Sequence, residues 1–285
     1  MLGIIIVNYN DWDNLRNCIQ SIVVNMPHRI YVVDNLSKPN LYANELTKLE
    51  NVTYIESAIN GGYSFGNNLG LTCAVNDGCE YFLISNTDIV FDSNSIDNLV
   101  QPLISKFCDI IGPRVFLPNG DKQEEILGIR VTPITKIKLI FNSLFNGLIF
   151  KKIRNKFNNV DQNNLDSYQV YGVSGCCFAF NKLTFDKVFP FDENIFLYNE
   201  EWLLSEKSYR NDLRIIISNK SNILHMHGAT THDIKLFSYY CFVKSEFYVL
   251  RTIFPSYFIL NVIIILMRLP KLLFIYFKEK LVNKL

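Results

Sequence analysis

The segment Glu80-Tyr-Phe-Leu-Ile-Ser-Asn-Thr-Asp88 runs from an apolar stretch into a polar knot that ends in a carboxylate. A short apolar run bounded by turn formers reads as a buried strand of a parallel sheet. Ligands of such sheets bind just beyond the carboxyl ends of the strands. Asn86, Thr87 and Asp88 are therefore expected at the lip of a crevice, where a carboxylate can hold a divalent cation against a diphosphate. The plainer alternative is a strand-ending turn in which Asp88 only caps the next helix. Two other stretches concentrate titratable groups. Tyr198-Asn-Glu-Glu-Trp-Leu-Leu204 sets Glu200 beside Glu201, and Ile223-Leu-His-Met-His-Gly-Ala-Thr-Thr231 sets His225 two residues before His227. Acids in the first turn of a helix also answer its macrodipole, and a H-x-H pair on a strand simply shares one face.

The elements that must position these groups alternate regularly. Gly3 to Val7, Arg29 to Val33 and Val52 to Glu56 read as strands, with a helix over Asp11 to Val24. A further helix opens in Asn60-Gly-Gly-Tyr-Ser-Phe-Gly-Asn-Asn-Leu-Gly70 and runs to about Asp77. This βαβα order predicts an α/β fold, a mostly parallel, Rossmann-like sheet flanked by helices. Each strand ends in polar residues: Asn8-Tyr9-Asn10, Asp34-Asn35, Asn60-Gly61-Gly62 and Asn86-Thr87-Asp88. Repeated along one rim, such endings suit a nucleotide. Asp34 can accept hydrogen bonds from a base or ribose. Gly61 and Gly62 permit close backbone approach, and amides at the start of the following helix are expected to face an anion. No G-x-G-x-x-G follows the first strand and no G-x-x-x-x-G-K-S/T occurs, which disfavours a dinucleotide dehydrogenase or a P-loop enzyme.

In order along residues 3 to 232, the chain resembles the family-2 glycosyltransferases, in particular the rhamnosyltransferase-like branch of bacterial surface polysaccharide synthesis (O-antigen or capsule). The blocks that carry the likeness are Ile4-Ile-Ile-Val-Asn-Tyr-Asn10, Val32-Val-Asp-Asn35, Asn60 to Gly70, Leu83-Ile-Ser-Asn-Thr-Asp88 and Ile111-Gly-Pro-Arg-Val115. Val173-Ser-Gly-Cys176, Phe191-Asp-Glu-Asn-Ile-Phe-Leu-Tyr-Asn-Glu-Glu201 and His225-Met-His-Gly-Ala-Thr230 complete the series. The resemblance implies a GT-A fold, inverting transfer from a dTDP- or UDP-sugar donor, and a divalent metal, Mg2+ or Mn2+. It implies nucleotide-sugar contacts at Asn8, Tyr9, Asn10, Asp34, Asn60, Gly61, Asn67, Asn68, Asn86 and Thr87. Asp88 matches the last Asp of the family's D-x-D, with neutral Asn86 at its first position, and His225 is implied as a second metal ligand or a diphosphate contact. Glu201 matches the general base, with Glu200 beside it. Glu stands there in place of the more usual Asp, and Leu203 in place of a second acid. Rhamnose, galactose and glucose are the candidate sugars. A sugar-nucleotide nucleotidyltransferase and a non-catalytic glycan-binding relative are the alternatives.

Composition bounds the rest. With 285 residues, 49% of them hydrophobic, the chain can bury one large domain and an appendage. A formal net charge of +1 offers no global attraction for nucleic acid. Seven scattered cysteines fit reduced thiols in a cytoplasmic compartment, and Met1 leads straight into the first strand, so no targeting segment is expected. Thr132 to Asp161 mixes apolar residues with lysines and an arginine, fitting an acceptor-side element or a solvated basic face. We expect a catalytic domain over 1–232 and a helical, membrane-associating region over 233–285. In the latter, Ile253 to Met267 carries no charge, and Arg268 and Pro270 are expected to interrupt the apolar run. Arg268, Lys271, Lys278, Lys280 and Lys284 against Glu279 suit anionic lipid. The chain is thus expected peripherally on the cytoplasmic face of the inner membrane, near a lipid-linked oligosaccharide acceptor. Removal of the tail before Ile253 is expected to spare the chemistry. Packing of these helices in the core or in a homo-oligomer is the competing use.

Overall fold

The computed structural model describes residues 1–123, 127–144, 166–226 and 236–282. The expected alternation is present: β1 (Leu2–Asn8), α1 (Trp12–Ser21), β2 (His28–Asp34), α2 (Leu41–Leu46), β3 (Val52–Glu56), α3 (Gly62–Asn76) and β4 (Tyr81–Ser85). After it come β5 (Ile89–Phe91), α4 (Ser95–Ile104), β6 (Ile110–Phe116), α5 (Pro133–Leu144), β7 (Ser167–Gln169) and β8 (Cys177–Asn181). Then follow α6 (Lys182–Val188), α7 (Glu200–Arg210), β9 (Ile215–His225), α8 (Leu236–Ile253) and α9 (Phe258–Val282). The strands join in one mixed sheet of order β3-β2-β1-β4-β8-β6-β9-β5, with β7 pairing β9. β1 to β4 are mutually parallel, whereas β8 runs antiparallel to both β4 and β6.

Strand alternation divides the core between the two faces of the sheet. Ile4, Ile6 and Val32 join one cluster with Leu15, Leu99 and Val100, from α1 and α4. Ile5 and Tyr31 join the other with Leu71, Phe178 and Leu204. Burying each such aliphatic side chain stabilises the fold by about 1.5–3 kcal/mol. On the second face α3 lies unusually close to the sheet. A Cβ at Gly66 would meet Val7 at 2.6 Å, and one at Gly70 would meet Ile5 at 2.6 Å. These two glycines, one helical turn apart, are there for packing.

The C-terminal helices form a third cluster with the helix that carries the acidic pair. Val249, Leu250, Ile253 and Phe254 pack with Ile264 of α9 and with Trp202 and Leu203 of α7. The break in the apolar tail falls at Pro255, in a short 3-10 turn over Pro255–Tyr257, and α9 continues through Pro270. This corrects the expectation that Arg268 and Pro270 end the first run. Pro270 sits on the exposed side, as does Leu266, whose carbonyl loses its helical donor, so water can satisfy that group. Arg268 also departs from its expected role as a lipid-facing cation. Its guanidinium turns inward and grips Glu246 of α8 through Nε–Oε2 at 2.8 Å and Nη2–Oε1 at 2.9 Å. Lys136 of α5 adds a third contact to Glu246 at 2.9 Å. Glu246 is fully buried, and a buried carboxylate requires such partners.

Candidate active site

The parallel register sets Asn8 opposite Asp34, and Asp34 opposite Glu56, at the carboxyl edge of the sheet. Asn8 is fully buried and acts as a scaffold. Its Oδ1 accepts from the Asp11 amide at 3.1 Å, and its Nδ2 reaches Ser37 Oγ at 3.3 Å. Asp34 accepts from the Ser37 amide at 3.0 Å and from the Tyr54 hydroxyl at 2.8 Å. Asn10 holds a left-handed conformation, φ 57°, and its Oδ1 accepts from the Lys38 amide. Tyr9 is half exposed beside these groups. The rim is therefore held by its own side chains, with the half-exposed Tyr9 ring beside it.

The glycine-rich block serves a different purpose from the one expected. The Gly61 and Gly62 amides donate to Asn35 Oδ1 and Asn60 Oδ1, and the Tyr63 amide donates to the Phe196 carbonyl. Those first amides are thus occupied, and the start of α3 offers them to no anion. Gly62 has φ +85°, and a Cβ there would collide with the Phe196 carbonyl; only glycine fits that position. The side-chain amides of Asn67 and Asn68 are likewise engaged within the protein. Asn67 Nδ2 donates to the Tyr63 carbonyl, while Asn68 clasps the Phe191 backbone in both directions and reaches Glu193 at 2.8 Å. Asn68 thereby ties α3 to the loop that leads to Glu200.

Beyond β1 and β4 lies a polar cleft of about 370 Å³ lined by Val7, Tyr9, Asp11, Asn86, Thr87 and Asp88, within the size range of ligand pockets. Asp11, which sequence reasoning did not single out, accepts from Thr87 Oγ1 at 2.6 Å and from Asn14 Nδ2 at 2.8 Å. It thereby locks the turn that presents Asp88. On the other side β5 and β9 pair antiparallel with Ile89 opposite His225, and the Met226 amide donates to the Asp88 carbonyl. That pairing delivers His225 Nε2 to 3.1 Å from Asp88 Oδ2. Two adjacent donors on an octahedral cation with bonds of about 2.0–2.1 Å stand about 3 Å apart. The spacing of this carboxylate and imidazole is thus compatible with two adjacent ligands of a divalent cation. Among the described residues no group of three His, Cys, Asp or Glu side chains converges as a metal site. His227 and the remainder of its segment lie outside the described residues.

The acidic pair opens α7. Two consecutive non-glycine residues, Tyr198 and Asn199, precede it with φ 67° and 66°, a left-handed turn that costs energy and is held by its surroundings. Asn199 Nδ2 donates to the Phe242 carbonyl, and Ser245 Oγ donates to the Leu197 carbonyl, so α8 braces this turn. Glu200 is buried, and desolvation followed by the neighbouring Glu201 charge pushes its carboxyl well above the usual range. Burial also raises Glu201, while hydrogen bonds from the backbone and from Glu200, and the charge of Lys136, restrain the rise. Both carboxyls are thus raised as a pair, Glu200 the more strongly, and burial beside one another favours a single shared proton over two charges.

Residues 174–176 join the two constellations. The Asn86 amide donates to the Cys176 carbonyl at 2.8 Å, and the Tyr63 hydroxyl donates to the Gly175 carbonyl at 2.6 Å. A Cβ at Gly175 would lie 3.2 Å from Glu200 Oε1 and 4.0 Å from Glu201 Oε2. The same short segment thus touches the strand end that carries Asn86 and faces the acidic pair.

Comparisons with known proteins bear on the fold and the family. A solved structure of GalNAc-T7 with UDP, GalNAc and Mn2+ superposes with a TM-score of 0.63 at 14% identity, covering 88% of this chain and 47% of that one. S. aureus TarS 1–349 in complex with UDP-GlcNAc superposes with a TM-score of 0.53 at 15% identity, covering 89% and 67%. These likenesses establish a GT-A-like fold. In sequence, the chain is 25% identical over 216 residues to the low-salt glycan biosynthesis hexosyltransferase Agl10 of Haloferax volcanii, spanning 75% of this chain and 63% of that protein. Residues 3–189 match the family described as Glycosyl transferase family 2. That match takes in the rim around Asn8 and Asp34, the Asp88 turn and the Gly175 segment, and on it the chain belongs to glycosyl transferase family 2.

Proposed function

We propose that the protein is an inverting, metal-assisted hexosyltransferase that moves a sugar from a nucleotide-diphosphate donor to a hydroxyl of a lipid-linked glycan. The observation that carries this reading is the junction at residues 174–176, which links the polar cleft at Asn86 to the buried carboxyl pair Glu200 and Glu201. In this reading the rim around Asn8, Asn10 and Asp34 receives the nucleoside, and Tyr9 covers it. Glu201 takes the proton of the acceptor hydroxyl as its oxygen bonds to the anomeric carbon. The bond from that carbon to the donor diphosphate breaks on the opposite side, and the nucleotide diphosphate leaves with the electron pair. Asp88 and His225 would hold a divalent cation, Mg2+ or Mn2+, whose charge offsets the charge that develops on the leaving diphosphate. Glu200, neutral and buried, keeps Glu201 oriented through its hydrogen bond.

The tail supports work at a membrane. Among the described residues one helix, Pro255–Lys280, is long and apolar enough to cross a bilayer. Yet Asn261, Ile264 and Ile275 are buried against the protein, while Phe258, Ile259, Leu266, Leu273, Phe274 and Phe277 are exposed. A helix docked along one stripe and apolar along the other fits an in-plane, interfacial position better than a crossing one. The GalNAc-T7 and TarS ligands and the Agl10 activity support a nucleotide-sugar donor and glycan building; rhamnose, galactose and glucose remain the sugars to test. Incubation with a panel of UDP- and dTDP-sugars and Mn2+, with and without a lipid-linked acceptor, tests the reading. Acceptor-stimulated, metal-dependent release of nucleoside diphosphate is expected from one donor. Nucleoside triphosphate consumption, or donor binding without turnover across the panel, would contradict it.

A further inference from the structure

Behind the Asp88–His225 edge stands a residue that neither the motifs nor the proposed chemistry uses. Gln123 follows the turn over Leu117–Asp121, in which the Leu117 amide donates to the Asp121 carbonyl and Phe116 bridges to Lys122. Its own amide donates to the Val115 carbonyl at 2.9 Å, so its position is tied to β6. From there Gln123 Oε1 lies 2.9 Å from His225 Nδ1, on the opposite side of the ring from Asp88.

We propose that Gln123 is a positioning residue that fixes His225 as the Nδ1–H tautomer and so aims the Nε2 lone pair at the cation edge formed with Asp88. This inference depends on the metal reading above only for what occupies that edge. An amide oxygen can only accept, so the ring nitrogen facing it must donate. A neutral imidazole that donates from Nδ1 has only a lone pair at Nε2. That lone pair and the Asp88 carboxylate oxygen then confront one another at 3.1 Å, two acceptors with no hydrogen between them. Such a pair is satisfied by a cation between its members, either a metal ion or the proton that makes His225 an imidazolium, and the ring 15N shifts separate the two. Metal-bound histidines commonly donate their second nitrogen to an outer partner in this way, and loss of that partner costs roughly 10- to 100-fold in metal affinity. The opposite amide orientation of Gln123 would place a donor at Nδ1 and leave Nε2–H donating to Asp88, a pair satisfied without any cation.

The test uses the full chain and two substitutions. Gln123→Glu keeps an acceptor at Nδ1, whereas Gln123→Leu removes it at similar size. Mn2+ affinity is read from the free-ion electron paramagnetic resonance signal, and the tautomer from 15N chemical shifts of the His225 ring. We expect the ring to be Nδ1–H in the unsubstituted protein and in Gln123→Glu, with Mn2+ affinity equal or tighter in the latter. Gln123→Leu should lose roughly tenfold or more in affinity and show a mixed tautomer, with unchanged thermal unfolding. An Nε2–H ring in the unsubstituted protein, or undiminished Mn2+ binding by Gln123→Leu, would overturn the proposal. Absence of Mn2+ binding alongside an Nδ1–H ring would instead count against the metal reading and leave the positioning role standing.

Discussion

Arg268→Met is the perturbation whose cost the structure states most directly. Glu246 is fully buried and accepts two hydrogen bonds from Arg268 and one from Lys136. Methionine fills much of the arginine stem's volume but strips Oε2 of its arginine partner and Oε1 of one of its two. Breaking a buried ion pair from one side costs about 3–5 kcal/mol. Because Lys136 stays, the lower end applies, about 3 kcal/mol, which for a chain of this size lowers Tm by about 6–10 °C. Urea unfolding followed by circular dichroism measures it. A Glu246→Leu, Arg268→Met double variant should recover most of the loss, since an apolar replacement of a buried pair is often neutral and Lys136 can turn its head to solvent. The sign with pH also follows. The Glu246 carboxyl is held below its ordinary range by Arg268 and Lys136 against the opposing effect of burial. Its contribution is therefore complete above the unfolded-state value and fades as pH falls through the folded one, so the gap between unsubstituted and Arg268→Met protein should close in acid. A cost below about 1 kcal/mol, or a double variant no better than the single, would refute this account of the cluster.

Asp88→Ala should abolish transfer and Mn2+ binding, while Asn86→Ala, which removes a neutral group, should only weaken them; full activity of the Asp88 variant in chelator would remove the metal assignment. Because burial raises both members of the acidic pair, kcat/KM should climb with pH through a value above that of an ordinary glutamate. Glu200→Gln should keep that limb, since an amide also donates to Glu201, and a limb at the usual carboxylate value would contradict the shared proton. The full chain should float with anionic vesicles and detach only partly in high salt, and double substitution of exposed Phe274 and Phe277 by Ser should weaken flotation without lowering Tm. Truncation before Ile253 should destabilise α7 as well, because it removes Phe254, Ile264 and Arg268 from α7 and α8. A truncated chain with unchanged Tm would show that this packing contributes nothing.

Much of the sheet was legible because its signal is local. Ile4 to Val7, Ile30 to Val33 and Tyr81 to Ile84 are apolar runs that end in polar residues, and all three became parallel strands. The placement of Asp88 beyond a strand end and of Glu200 and Glu201 at a helix start could be read in the same way. What could not be read depends on partners far along the chain. Asn68 resembled a donor contact until Phe191 appeared beside it, and the helix-start amides looked open until Asn35, Asn60 and Phe196 claimed them. Arg268 read as a lipid cation because the sequence does not reveal which side of a helix faces Glu246. Asp11 and Gln123 had no motif to mark them, and only the Thr87 and His225 contacts bring them into the site. Pro270 does not end the helix, since a proline on the exposed side of a docked helix forfeits only one hydrogen bond.

The central claim is that Glu201 is the base that activates the acceptor while the rim around Asp34 holds the donor independently of it. Single-turnover transfer by Glu201→Gln, measured beside equilibrium binding of the same nucleotide sugar by calorimetry, tests this directly. The account predicts donor affinity within about twofold of the unsubstituted protein, and a rate of sugar transfer lower by about 10²–10⁴. Transfer by Glu201→Gln at the unsubstituted rate, or a larger loss in Glu200→Gln than in Glu201→Gln, would contradict it.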